Sequence, residues 1–146
     1  MGPCLDRQAV ENRLLTMRNS VGQLGAPGPL DPGRLARDPA SGLVVERVLA
    51  LLADLAFEVN CQVAAAVLGE RPQTPAAALG AAVRAGLIDA DLSAALAPAD
   101  GPHHVQVQLY LDTEPERVAA VVSAAVAGYQ EYVSRVAGWT AATANC

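Results

Sequence analysis

The chain has 146 residues, a net charge of −5, 52% hydrophobic residues and only 3% aromatics. One domain of this length buries a core without disulfide or metal staples, and so apolar a chain is not disordered throughout. An acidic chain with no basic block lacks the Lys and Arg phosphate contacts that a general DNA or RNA coat requires.

Met1 to Arg7 leads into a mixed polar stretch rather than the apolar core of a signal peptide. Asp6 is a good N-cap for a first helix. Val10, Leu14, Met17, Val21 and Leu24 follow it at alternating spacings of four and three, a narrow apolar seam. Gly25-Ala26-Pro27-Gly28-Pro29 stops that helix, because two prolines remove backbone donors and clash with a preceding turn. Arg34 to Arg37 suits a short turn.

A second helix is predicted from about Ala40 to Leu68. Glu46, Asp54, Glu58 and Gln62 lie four or eight apart, with Ala50 between, and read as one thin polar stripe on an otherwise apolar cylinder. Such a helix belongs at the centre of a bundle. Its charges Glu46, Arg47, Asp54 and Glu58 argue against a bilayer span. Asp54 and Glu58 are like charges one turn apart that face water, while Asn60 and Cys61 read as core or interface residues.

Thr74-Pro75 is an N-cap followed by Pro in the first turn. Leu79 and Val83 face inward and Gly86 ends the helix. Asp89 caps a shorter helix carrying Leu92 and Leu96, which Pro98, Gly101 and Pro102 end. His103 to Leu111 alternates like a β-strand, but the chain offers no second strand to pair with it, and a lone strand is unstable. Thr113-Glu114-Pro115-Glu116 is a capping box that opens the last helix. Val118, Val122, Ala125, Tyr129, Tyr132, Val136 and Trp139 form its main seam, and Val121, Val126 and Val133 a second stripe. Two apolar faces let one helix touch its own bundle and a second subunit.

The expected architecture is therefore all-α: an up-and-down bundle of about five helices, with the central and last helices as a long antiparallel pair. Residues 1–139 form a single domain and 140–146 a tail expected to fray. No internal repeat is visible. The apolar seams exceed what one small bundle covers, which predicts a homodimer. Cys4, Cys61 and Cys146 are odd in number and lack CxxC or metal spacing, so they read as reduced thiols of a cytoplasmic protein. Neither a cofactor nor a metal is expected. A site built from His103, His104 and Asp100 would fall short of the four ligands of a structural metal centre. A small-molecule-binding bundle is a further reading, although no Gly-rich phosphate loop is present.

From about Val44 to Val118 the sequence resembles the HepT-like proteins, a branch of the HEPN superfamily of small, dimeric, α-helical proteins. The resemblance rests on Val45-Glu46-Arg47 with Leu49 and Leu51, and on Asp54 to Asn60. It continues through Gly69-Glu70-Arg71-Pro72, Ala85-Gly86-Leu87-Ile88 and Leu92, then Gly101 to Tyr110. Asp112 with Pro115-Glu116-Arg117-Val118 closes it. The resemblance implies a ribonuclease toxin paired with a nucleotidyltransferase antitoxin of the MNT type. It also implies an Arg-x4-His-x-Tyr signature placed by two subunits in one cleft.

The chemistry of that signature is readable. A His moves a proton near neutral pH at the ribose hydroxyl or the leaving oxygen. An Arg holds a permanent, planar charge beside the phosphate. In this chain His103 stands at the Arg position, Gln108 at the His position, and only Tyr110 matches. A glutamine amide exchanges no proton at ordinary pH, and a histidine with its usual pKa of ~6.5 is mostly neutral at pH 7. Loss of the general acid or base alone costs on the order of a hundred- to ten-thousand-fold in rate. The resemblance also makes Tyr110 the candidate AMP acceptor. Read alone, a Tyr between Leu109 and Leu111 is a packed residue with a wet hydroxyl. Likewise, His103 and His104 read alone are an exposed junction.

Two functions follow from different classes. One is a nuclease-inactive, dimeric binding protein that docks a nucleotidyltransferase. The other is a divergent, metal-independent endoribonuclease using His103 and His104, in which case RNA is its substrate. Neither needs a membrane or DNA.

Overall fold

Asp6 opens the first helix as expected: its carboxylate accepts the Ala9 N–H at 3.1 Å and its carbonyl accepts the Val10 N–H at 3.1 Å. In this computed structural model the backbone is described for residues 5–25, 39–96 and 115–142, and the side chains for 5–23, 44–96 and 123–142. Five α-helices account for nearly all of it: α1 (Arg7–Gly25), α2 (Pro39–Val63), α3 (Pro75–Arg84), α4 (Ala90–Leu96) and α5 (Pro115–Ala142). No strand occurs among the described residues. The strand-like stretch from His103, residues 143–146 of the expected tail and the Arg34–Arg37 turn lie outside them. Thr140 to Ala142, expected to fray, instead continue α5, with Thr140 buried and its hydroxyl donating to the Val136 carbonyl at 2.7 Å.

The breaks fall where backbone chemistry puts them. α1 ends at Gly25, before the two prolines. α2 runs on into a π-helical turn, Ala64–Leu68, closed by Gly69 at φ 68°. The N–H groups of Gly69 and Glu70 both turn back to the Ala64 carbonyl, which serves a helix end that would otherwise be unsatisfied. Thr74 caps α3 through its hydroxyl, which accepts the Ala77 N–H at 3.1 Å, with Pro75 in the first turn. Gly86, at φ 81°, ends the α3 segment in the left-handed conformation that other residues adopt only at a cost. Asp89 caps α4 by accepting the Leu92 N–H at 2.8 Å.

The helices pack as a closed ring in the order α1–α2–α3–α4–α5, with α5 returning to α1. The core inside it holds Val10, Met17, Leu52, Val59, Val63, Tyr132 and Val136, all fully buried. The α1 seam of Val10, Leu14, Met17 and Val21 is buried as its spacing requires. So are Tyr129, Tyr132, Val133 and Val136 of α5, with Ala125, Val126 and Trp139 partly buried around them.

Two further expectations need correction. The last helix lies mainly along α1 and α4, not as the long partner of α2. Its tyrosines explain this: Tyr132 spans the gap to α2, and a ring of that size keeps the two backbones apart. The second correction concerns the polar stripe of α2. Steps of four residues drift about 40° each on a helix, so Glu46 and Gln62 end about 160° apart. Both are half-buried, whereas the exposed face runs through Val44, Arg47, Leu51, Asp54 and Glu58. The stretch Val44–Leu68 is long and apolar enough to cross a membrane by length and composition alone. In the bundle its inward residues Val45, Val48, Leu49, Leu52, Ala56, Val59 and Val63 are buried, and the helix packs against α1, α3 and α5.

Candidate functional site

His103, His104, Gln108 and Tyr110 lie outside the described residues, as do Asp100 and the Thr113-Glu114 half of the capping box. The flanks of that segment are described. It leaves α4 after Leu96 and enters α5 at Pro115, the first-turn proline expected there. The α4–α5 corner is close-packed: a Cβ built at Gly128 would stand 3.1 Å from the Leu96 side chain. At the other end of α4, Arg135 Nη2 bonds Asp89 at 3.1 Å and its Nε bonds Glu131 at 2.7 Å. Leu96 thus meets Gly128 while Asp89 meets Arg135, so α4 runs antiparallel to α5. The last residue of α4 sits beside a point thirteen residues, or about 20 Å, along α5 from Pro115.

A fully buried polar pair joins α5 to α2. The Tyr132 hydroxyl donates to Asn60 Oδ1 at 2.6 Å and lies 3.3 Å from the Ala56 carbonyl oxygen. Both side chains are sealed from solvent. Burial pushes the Tyr132 phenol far above its ordinary range. Tyr129, one turn earlier, is pushed up to about 12 by burial and then by the carboxylate of Asp54. The half-buried Cys61 thiol points at the Pro72 carbonyl, 3.8 Å away, and is raised by burial and then by Glu58. A thiol raised in this way is a poor nucleophile.

On the surface, Arg13 Nε bonds Glu58 Oε2 at 2.6 Å and ties α1 to α2. Arg84 bonds Glu70 at 2.8 Å and holds α3 to the turn after α2. The N–H of Leu92 is the main influence that holds the Asp89 carboxyl below its usual range; desolvation opposes it and Arg135 adds to it. Among the described residues, each resolved shift moves a group away from neutrality. A general acid or base is tuned the other way. The signature positions His103, His104, Gln108 and Tyr110 fall in the stretch of sequence between α4 and α5.

Sequence reasoning marked Asn60 and Cys61 but did not join Asn60 to Tyr132. The signal available was a buried-seam tyrosine whose hydroxyl requires a partner. It also missed Arg13–Glu58, having assigned Glu58 to water alone.

No protein-family profile matches the chain, and no curated protein matches it in sequence. Solved structures do match its fold. A chain in the crystal structure of a mutant MntA–HepT toxin–antitoxin superposes with a TM-score of 0.72 at 14% identity, covering 90% of this chain and 98% of that one. A chain of a toxin–antitoxin crystallised with AMP-PNP gives 0.69 at 13% identity, covering 88% and 97%. At that identity the likeness is one of fold, and it extends over nearly the whole length of both chains.

Proposed function

We propose that this chain is a HepT-like component of a cytoplasmic toxin–antitoxin module, and that it works by binding rather than by cutting RNA. The observation that carries this reading is the pair of replacements at the signature: His103 for the Arg and Gln108 for the His. Together they remove the fixed cation and the proton shuttle that ribonucleolysis requires. The fold likeness to chains of toxin–antitoxin complexes supports the frame in which those replacements occur. On this reading the protein is a homodimer whose partner is an MNT-type nucleotidyltransferase. Tyr110 is the acceptor of AMP: its phenol oxygen displaces pyrophosphate from ATP and the phenolic proton is released.

Induced expression in a growing bacterium tests the proposal. Growth and RNA integrity are expected to stay at control levels. Growth arrest with RNA degradation would overturn it. The alternative, a divergent endoribonuclease, is favoured by the retained Tyr110 and the adjacent His103-His104 pair. On that alternative, arrest occurs and is lost with His103→Ala or His104→Ala.

A further inference from the structure

The outward face of α2 carries a seam with the spacing of a helix–helix contact, and it stays exposed although Arg13 of α1 reaches Glu58 at one end. Val44, Arg47, Leu51, Asp54 and Glu58 recur at three, four, three and four residues and all are exposed. Val44 is 56% exposed and Leu51 41%, so two of the four exposed large aliphatics among the described residues stand on this one face. Ala50, Phe57 and Cys61 flank the seam on one side and Leu55 on the other, each half-buried.

The charges on this seam have a direction. Arg47 lies one turn before Leu51, and the acidic residues Asp54 and Glu58 follow it. Glu58 is held by Arg13, but neither Arg47 nor Asp54 has an ion-pair partner among the described residues. Arg47 and Asp54 are seven residues, about 10 Å, apart along the helix. A second α2 laid antiparallel, with a two-fold axis beside Leu51, sets Leu51 on Leu51 and Arg47 against the other copy's Asp54. Symmetry makes that ion pair twice. A parallel arrangement would instead set Arg47 on Arg47 and Asp54 on Asp54.

We infer that this face of α2 is the contact between two copies of this chain, packed antiparallel about Leu51. This inference rests on the homodimer reading above and names its surface. The seam from Val44 to Glu58 is about four turns long. So short a seam, with two solvent-exposed ion pairs, is expected to associate weakly, at about micromolar strength.

Sedimentation of the full chain at up to about 100 µM, where a micromolar dimer is well populated, tests the inference. The wild type is expected at twice the 15.0 kDa chain mass. Arg47→Asp and Asp54→Arg each place like charges together and are expected to weaken association about a hundredfold. The double variant, which swaps both charges, is expected to restore it, with circular dichroism confirming equal helicity. A wild-type dimer whose mass ignores both single reversals would overturn this surface while leaving the homodimer intact. A wild-type monomer across the range would overturn the homodimer reading itself, and the surface with it.

Discussion

Replacing Tyr132 by Phe removes one oxygen from the most buried side-chain polar pair among the described residues. In the wild type that oxygen donates to Asn60 Oδ1 at 2.6 Å, and both side chains are closed to water. The substitution leaves the ring, and so the packing, nearly unchanged. What it leaves behind is an amide oxygen without its donor in a dry site, which costs about 1–3 kcal/mol. The Ala56 carbonyl is the lesser loss, because its contact is longer, at 3.3 Å. Urea denaturation followed by circular dichroism measures the effect, and a 2 kcal/mol loss is expected to move the midpoint by about 1 M for a slope near 2 kcal/mol per M. Asn60→Ala should cost a similar amount or more, since it also opens a small cavity. The double variant should cost about 1 kcal/mol or more below the sum of the two singles, because the second change deletes a bond already broken. If Tyr132→Phe unfolds within about 0.3 kcal/mol of the wild type, or if the two changes simply add, the hydrogen bond does not hold α5 to α2 and the reasoning fails.

The same helix should make the protein sensitive to alkali. Tyr129 is neutral and buried, and its folded pKa is raised from 10.0 to about 12. Its contribution is therefore complete below about pH 10 and is lost as pH rises towards 12, roughly 3 kcal/mol in all, with Tyr132 acting in the same direction. Phenolate absorbance recorded against pH should rise for these two residues together with unfolding, and an early rise on a still-helical chain would contradict this. Backbone substitutions should divide by site. Gly80→Ala, with no atom within 4 Å of the new methyl, should stabilise by about 0.5–1 kcal/mol. Gly128→Ala should gain less, because Leu96 must yield, and Gly86→Ala, at φ 81°, should lose about 1 kcal/mol. Thermal melts of the three variants order them directly.

The helices were legible because their ends carry strong local chemistry. Asp6, Thr74, Asp89, Gly25 and Gly86 each act within a few residues of backbone, and the structure uses each where the sequence places it. The buried faces of α1 and α5 were legible for a related reason, since a seam at three and four residues has one inward solution. Neighbour relations were not. Whether α5 lies on α1 or α2 depends on side-chain volume across the core, and the reach of Tyr132 decides it. The stripe on α2 misled because spacings of four look collinear in the sequence and spiral on a real helix. The signature positions His103, Gln108 and Tyr110 were found through family resemblance joined to proton chemistry, and neither seam nor cap points to them.

The central claim concerns proton transfer, and an in vitro cleavage assay tests it most directly. Purified chain is incubated with RNA beside the variant carrying His103→Arg and Gln108→His. The wild type should leave the RNA intact, and the doubly restored signature should cut it if the scaffold still assembles the cleft. Efficient cleavage by the wild type that disappears on substituting His103 or His104 would contradict the account.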